Sequence, residues 1–514
     1  MLPSVLHYLE SHAHADPGRP LILDAGGDLS YSEVRSRARA LADSLRREGV
    51  GAGDRVVLWL PNSPEWVIVG LAVQYAGAIV VPINTRWTVS EAAYILEKTR
   101  ARAVVASEKF LGRDYLTEIE SFAGEFPSLE LFISVDGDST RQATVASLID
   151  QGCASDPAID AQLNRVAPGD TSDIMFTSGT TGLPKGAKIT HGSTLAAILG
   201  ANERLLLRPD DRQLIVNPFF HMFGYKHGWS YCVVIGASFY PEPVFDPARA
   251  ADIIEKFRVT VFSGPPTLFE SLMALPDFES RDFSTLRFSL TGATNVPPDT
   301  VRKLQSALGI DHVANGYGLT ESTACGTHTS IDDDIEVVAT TTGRPLDVLE
   351  FRIVGPDGAM CDVDEPGEIE IRGPVLMSGY FEDDAATAAT IDADGWLHTG
   401  DIGAADAAGN IRIVGRLKEV IIVGGFNVYP AEVERVLNSH PSIASSAVVG
   451  VPDDRLGEVP VAYLEVTEPL EGMEKWCRER LANYKQPREF ILVDQMPRNA
   501  MGKIVKSDLQ KCGA

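Results

Sequence analysis

The run Thr177-Ser178-Gly179-Thr180-Thr181-Gly182-Leu183-Pro184-Lys185-Gly186 places glycines, hydroxyls and one lysine within ten positions. Glycines let a backbone aim successive N–H groups at an anion, hydroxyls add donors, and Lys185 adds a positive charge; the chemistry indicated is phosphate binding. The Walker A pattern is not met, because Lys185 is followed by Gly186 rather than by Ser or Thr. Clusters of Gly, Ser and Thr also form plain surface loops, so this run by itself leaves both readings open. Other reactive side chains stand in short runs: NGYGLTES (315–322), HTGD (398–401), GRLKEVI (415–421) and PRNAMGK (497–503). They bring carboxylates at Glu321 and Asp401, a phenol at Tyr317, a hydroxyl at Thr320, and cations at Arg416, Lys418 and Lys503. Singly, such acids and lysines are ordinarily solvated surface charges. NPFFHMFGYKHGW (217–229) carries His221 and His227 among aromatic residues, with no carboxylate or Cys to complete a metal set.

Strands and helices alternate around these runs. Ser30 and Glu33 form a capping box ahead of Val34, Ala38, Leu41, Ala42 and Leu45 at helical spacing. Apolar runs such as RVVLWL (55–60), AVVA (103–106), LFISV (131–135), IMFT (174–177), LIVN (214–217), VTVFS (259–263) and FSLT (288–291) read as strands buried on both faces. Separated by helices, they predict an α/β fold with mostly parallel, covered sheets, whose strand ends form binding crevices. Beyond about residue 410 the pattern changes to a small α+β unit: Gly424 and Gly425 lie between strand-like runs, AEVERVLNSH is a short helix, and further strands follow. The expected division is a large N-terminal domain over 1–417 and a small, mobile C-terminal domain over 418–514.

The 514 residues are 44% hydrophobic and 23% charged, which excludes a disordered or collagen-like chain. A net charge of -26 argues against nucleic acid or anionic membrane as the main partner, and requires any phosphate ligand to meet a local cluster of donors. The six Cys lack CxxC spacing and read as reduced thiols, so a cytoplasmic location is expected. WVIVGLAVQYAGAIVVPI (66–83) imitates a membrane span, but Gln74, Gly77 and Pro82 interrupt it; a buried helix turning into a strand is expected, with no membrane insertion. Asp392-Ala393-Asp394-Gly395 lacks the later ligands of a calcium loop, and Asp332-Asp333-Asp334 reads as a solvated turn.

The five blocks, TSGTTGLPKG through PRNAMGK, occur in the order and spacing of one family. On them the chain resembles the adenylate-forming (ANL) enzymes, which comprise acyl-CoA synthetases, peptide-synthetase adenylation domains and luciferases. The resemblance spans essentially the whole sequence. It implies an AMP-forming acid–thiol ligase using ATP, Mg²⁺ and CoA. It further implies that Thr177, Ser178, Gly179, Thr180, Thr181, Gly182 and Lys185 hold the β- and γ-phosphates. Tyr317 is implied to stack on adenine between Gly316 and Gly318, with Asn315 and the Gly292-Ala293-Thr294 backbone at its edge. Thr320 is matched to the α-phosphate, Glu321 to Mg²⁺, Asp401 and Arg416 to the ribose, and Lys503 to the bridge between carboxylate and α-phosphate. Lys418 falls at the position about which the small domain turns, and Gly424 and Gly425 at the pantetheine tunnel, although such a pair also suits a tight turn.

His221 matches a histidine at the entrance to the acyl pocket. The expected walls are Met222, Phe223, Gly224, Tyr225, Gly264, Pro265 and Gly292, with Tyr225 and Lys226 reaching a distal oxygen. The absence of an acid between Asn217 and Trp229 counts against amino-acid substrates. NPFFHxFGYK, VATTTGRP and RLKEVIIVGGFNVYPAEVE look most like ligases for propanoate side chains of degraded steroid rings, with medium-chain and polycyclic terpenoid acids also open. Delivery to a carrier-protein pantetheine is the alternative for the second step, and a non-catalytic nucleotide-binding regulator is the rival from another class. A homodimer is compatible with the sequence.

Overall fold

The computed structural model describes residues 2–122, 124, 126–136, 143–177, 183–292, 298–453, 455–470, 472–498 and 503–512, the last three as backbone only. The expected positions Ser178, Gly179, Thr180, Thr181, Gly182, Ala293 and Thr294 lie outside the described residues.

The apolar runs form strands because β-branched residues buried on both faces suit parallel sheets covered by helices. One six-stranded sheet runs in the order Leu131–Ser134, Ala103–Ala106, Arg55–Trp59, Ile79–Pro82, Thr171–Thr177, Lys185–Thr190, parallel except for the last pair. A second sheet is parallel at its centre, through Ser238–Pro241, Arg212–Ile215, Val261–Phe262, Phe288–Gly292 and His312–Tyr317. Its edges are antiparallel: Thr327–His328 and Arg344–Pro345 on one side, Leu29–Ser30 on the other. The expected capping box is present at the head of helix Tyr31–Arg47, and Pro64–Tyr75 is a buried helix that turns at Gly77 (φ 78°) into strand Ile79–Pro82. Among the described residues, no helix is long and apolar enough to cross a membrane.

One feature departs from the all-covered, parallel picture, and another sheet makes the expected small α+β unit. Glu350–Val354, Gly367–Arg372, Leu397–Ala405 and Ile411–Arg416 make a four-stranded antiparallel sheet of their own. Its sequence alternates charged and apolar residues, as in Glu368-Ile369-Glu370-Ile371, because one face stays wet. From Ile421 onward a further sheet forms: Ile421–Val423 and Phe426–Val428 make a hairpin, Ile443–Asp453 and Gly457–Val466 a long antiparallel pair, and Glu489–Val493 joins in parallel. Gly424 and Gly425 are the two-residue turn of that hairpin, both at positive φ (57° and 88°), a conformation that an L side chain resists. The tight-turn reading of this pair thus holds, whatever else the turn does.

Candidate active site

The hairpin Thr171–Thr177/Lys185–Thr190 presents the phosphate-type loop. Gly186 is fixed by packing, since a Cβ there would meet Ile174 and Phe176 at 2.6 and 3.0 Å. The segment 378–381 lies against this hairpin: Ser378 N–H donates to Lys188 O, Lys188 N–H to Gly379 O, and Phe381 N–H to Gly186 O. That seam delivers Tyr380, whose ring sits 5.1 Å from Lys185 Nζ and whose hydroxyl donates to Glu321 Oε1 at 2.7 Å. Met377 N–H donates to Glu321 O, so both the backbone and the carboxylate of Glu321 are positioned by this segment. Burial and the Glu321 charge push the Tyr380 phenol well up, keeping it a proton donor. Tyr380 escaped the sequence reading; the GYF tripeptide gave no chemical signal until the fold placed it.

Glu321 itself lies in the 3₁₀ turn Thr320–Ser322, directly beyond strand His312–Tyr317. Gly292, Gly316 and Gly318 allow close packing here. A Cβ on Gly292 would meet Gly316 O at 2.8 Å, one on Gly316 would meet the His328 ring at 2.4 Å, and one on Gly318 would meet Ala324 O at 2.2 Å. Asn315 is buried, and its amide donates to Val338 O and Thr341 O. Both amide protons are therefore spent within the protein, and what Asn315 offers a nucleobase is an acceptor.

Tyr317, Asp401 and Arg416 form one unit. The Tyr317 hydroxyl donates to Asp401 Oδ2 at 2.6 Å, and Arg416 Nε stands 2.6 Å from Asp401 Oδ1. Asp401 and Arg416 face each other across adjacent strands, Leu397–Ala405 and Ile411–Arg416, which fixes the pair. Burial raises the Asp401 carboxyl above its ordinary range, although Arg416, Tyr317 and Lys503 pull it down. Lys503 lies within the same field. Crowding by protein atoms lowers its ammonium pKa even though the side chain keeps solvent access, Arg416 lowers it further, and Glu419 and Asp401 oppose. Lys418 is exposed in the turn Leu417–Glu419, which is tied to the C-terminal helix Lys506–Cys512 by Lys506 Nζ to Glu419 Oε2 at 2.8 Å.

At the proposed acyl pocket, His221 caps the short turn Met222–Gly224, its Nδ1 accepting from Phe223 N–H at 3.2 Å. Burial lowers the His221 pKa to about 4, so the imidazole is neutral. Gly224 is demanded by packing, since a Cβ would fall 2.2 Å from Asn217 O; at Gly264 it would fall 2.4 Å from Leu268 Cδ1. Phe223 and Pro265 keep partial exposure while Met222, Gly224 and Gly264 are buried.

Two pocket expectations are corrected. Lys226 points inward to Asp173, Nζ to Oδ2 at 2.5 Å, with both side chains at most 2% exposed. The Tyr225 hydroxyl donates to the other oxygen of Asp173. Neither reaches a distal substrate oxygen, because a carboxylate buried in strand Thr171–Thr177 takes both as its partners. Even so paired, burial keeps the Lys226 pKa below its usual value. A small cavity does lie nearby, with room for little more than one water-sized body (≈ 10 Å³), walled by Phe223, His227, Tyr231, Ser263 and Leu290 among others.

Residues 9–381 match the AMP-binding enzyme family, and residues 432–503 match the AMP-binding enzyme C-terminal domain. The chain belongs to the AMP-binding enzyme family. It is an AMP-forming acid–thiol ligase. Among relatives of this AMP-binding enzyme is the 3-[(3aS,4S,7aS)-7a-methyl-1,5-dioxo-octahydro-1H-inden-4-yl]propanoyl:CoA ligase of Mycobacterium tuberculosis, 45% identical with 94% of each chain covered. The human mitochondrial medium-chain acyl-CoA ligase ACSF2 is 31% identical, covering 98% of this chain and 86% of that one. Among solved structures, the anthranilate CoA ligase AuaEII in complex with anthranoyl-AMP superimposes with a TM-score of 0.90 at 27% identity, covering 99% of this chain and 97% of that one.

Proposed function

We propose that this AMP-binding enzyme activates a hydrophobic carboxylic acid, with a ring-bearing propanoate as the first choice, by forming its acyl-adenylate from ATP and then passing the acyl group to the thiol of CoA. The convergence of Asp401, Tyr317, Arg416 and Lys503 in one electrostatic field, with Glu321 and Thr320 just beyond the strand carrying Tyr317, is the observation that carries this reading. The difficulty in the first step is mutual repulsion. A carboxylate must approach the α-phosphate of ATP, and two unit charges 4 Å apart repel by about 4 kcal/mol at an effective dielectric of 20. Donors already in place lower that barrier without reorganising.

In this reading Lys503 stands between the substrate carboxylate and the α-phosphate, and Thr320 donates to an α-phosphate oxygen. The carboxylate oxygen attacks the α-phosphorus and pyrophosphate leaves toward Lys185. Asp401, fixed by Arg416 and Tyr317, takes the ribose hydroxyls, so the nucleotide is oriented before chemistry begins. The donor set suits a hard divalent cation: Tyr380 holds Glu321 through Oε1, which leaves the carboxylate aimed by a neutral hydroxyl rather than neutralised by a cation. Glu321 would hold Mg²⁺, and the bound ion would supply charge neutralisation at the phosphates.

For the second step the thiol needs the space that Lys503 occupies. Division into 1–417 and 418–514, with turning about Lys418, would bring the Gly424-Gly425 turn to the site; both glycines lack side chains and neither turn position is closed by neighbouring backbone. The acid is inferred from likeness to the octahydroindenyl propanoyl:CoA ligase relative and from the burial of His221. A cytoplasmic location accompanies this reading, on the reduced state of the described cysteines.

The test is a panel of ring-bearing propanoic, medium-chain fatty and aromatic acids, each supplied with ATP, Mg²⁺ and CoA. AMP and an acyl-CoA of the expected mass should form with the ring-bearing acids at the highest kcat/KM. ATP binding without acid-dependent AMP release would instead favour a non-catalytic regulator, and AMP release without thioester would favour a carrier-protein acceptor.

A further inference from the structure

We infer that His227 reads a neutral oxygen, hydroxyl or keto, carried by the far end of the acyl group. The inference rests on the ligase reading above and adds to it the residue that selects among hydrophobic acids. The small cavity beside Phe223 lies between the sheet strands Arg212–Ile215, Val261–Phe262 and Phe288–Gly292 and the π-helical turn Tyr225–Trp229. Its lining shares Phe223 with the expected acyl-pocket walls, and Ser263 and Leu290 stand one and two residues before Gly264 and Gly292.

Tyr231, Ser263 and Gln213 in its wall each make a hydrogen bond. The Tyr231 hydroxyl donates to Asn202 Oδ1 at 2.9 Å, Ser263 Oγ accepts from Leu290 N–H at 3.0 Å, and Gln213 Oε1 accepts from Cys232 Sγ at 3.2 Å. His227 is 7% exposed, and its Nδ1 is buried with no hydrogen-bond partner among the described residues. An unpaired buried polar atom is costly, so something is expected to pair with it when the site works. The space holds roughly one oxygen-sized body, and six of its ten lining residues are apolar, so an oxygen anchored on an apolar skeleton fits it.

The opposite side of the ring says which oxygens suit. His227 Nε2 lies 3.3 Å from Cys325 Sγ, and that thiol is 3.5 Å from Ala197 O. With the thiol proton on Ala197 O, Nε2 carries the ring proton and Nδ1 accepts from a hydroxyl. With the thiol turned to Nε2, Nδ1 carries the proton and donates to a ketone. Either way the ring is neutral, since burial lowers its pKa to about 4 against the opposing pull of the Ala324 carbonyl, and an anionic oxygen is not favoured.

The experiment uses three octahydroindene propanoic acids that differ only in whether the ring carbon farthest from the side chain is CH₂, CH–OH or C=O. Acid-dependent AMP release is measured with the wild type, His227→Leu and His227→Asn. The wild type should prefer at least one oxygenated acid over the CH₂ acid by about tenfold in kcat/KM, a range typical for one buried hydrogen bond. His227→Leu should bring that ratio near one, and His227→Asn, which keeps a polar atom near Nδ1, should retain part of it. Three acids turned over equally by the wild type would overturn the inference while leaving the ligase reading intact, as would a ratio unchanged in His227→Leu. No acid-dependent AMP from any of the three would overturn both the inference and the choice of a ring-bearing propanoate as the acid.

Discussion

At the scale of single residues, Lys503 and Tyr380 make separable predictions. In the proposed mechanism Lys503 is required only while two anions meet. Lys503→Ala should therefore lower acid-dependent pyrophosphate exchange by about 100-fold or more, the usual loss on removing one preorganised donor. Thioester formation from supplied acyl-adenylate should persist; equal loss of both steps would assign Lys503 to the fold. Tyr380 acts through Glu321, to which it donates at 2.7 Å. Tyr380→Phe should raise the Mg²⁺ concentration needed for half-maximal AMP release several-fold, with excess Mg²⁺ restoring most of the rate; a loss that Mg²⁺ cannot restore would deny Tyr380 this positioning role. The contrast also shows what could be read in the sequence. Glu321, Asp401, Arg416 and Lys503 stood out because charged groups sat in recognisable short blocks. Tyr380 did not, because its value comes from a backbone seam nearly 200 positions away in sequence, between 378–381 and strand Lys185–Thr190. The resemblance implied a place for Asn315 at the base edge, whereas its two bonds to the Val338 and Thr341 carbonyls could be learned only from the fold.

At the scale of elements, the buried pair Lys226–Asp173 joins the π-helical turn Tyr225–Trp229 to strand Thr171–Thr177, which leads into the phosphate-type loop. A substrate role for Lys226 was a reasonable expectation from a lysine beside His221, and the strand's own acid defeated it. Periodicity located strand 174–177 but could not reveal that Asp173, at its start, faces inward and must be neutralised. The consequence is measurable. Lys226→Met should cost about 3–5 kcal/mol, the penalty of leaving one member of a buried ion pair alone, seen as a lower midpoint in urea. Adding Asp173→Leu should recover a large part of it, because a well-packed apolar pair can replace a buried ionic one. In whichever variant stays folded, KM for the acid should be nearly unchanged; a large rise in KM alone would return Lys226 to the pocket. The four-stranded antiparallel sheet around Asp401 teaches the same lesson at this scale. Its alternation Glu368-Ile369-Glu370-Ile371 was present in the sequence as a half-wet strand, yet the parallel runs before it dominated the expected architecture.

For the whole molecule, the feature that sequence patterning could not disclose is how many imidazoles the core holds neutral. His191, His227 and His328 are each at most 7% exposed. Burial lowers His191 and His227 to about 4, and lowers His328 well below its usual value, with His227 and Arg204 adding repulsion. The unfolded chain titrates these groups near 6.5. Below that pH the unfolded state binds protons that the folded state refuses, so folding stability is fully present above about 6.5 and falls as the pH drops toward 4. One pKa unit corresponds to 1.36 kcal/mol, and since the unfolded imidazole is half-titrated at pH 6.5, each of His191, His221 and His227 removes about 1 kcal/mol between pH 6.5 and 5.5. Asp401 and Glu242, raised by burial, act in the opposite sense: their relief begins at the raised folded pKa and is complete near 4, so they offset part of the histidine loss. Carboxylates held low by hydrogen bonds, such as Glu33 and Asp392, lose their contribution only below the ordinary carboxyl range. The urea midpoint should therefore decline between pH 7.5 and 5.5, and His191→Asn, which removes one of the four most strongly lowered imidazoles, should flatten the decline by about a quarter even where it lowers the midpoint at pH 7.5. A midpoint constant across that window would mean that the imidazoles gain protons without unfolding, and that the core around His227 admits water more readily than its packing implies.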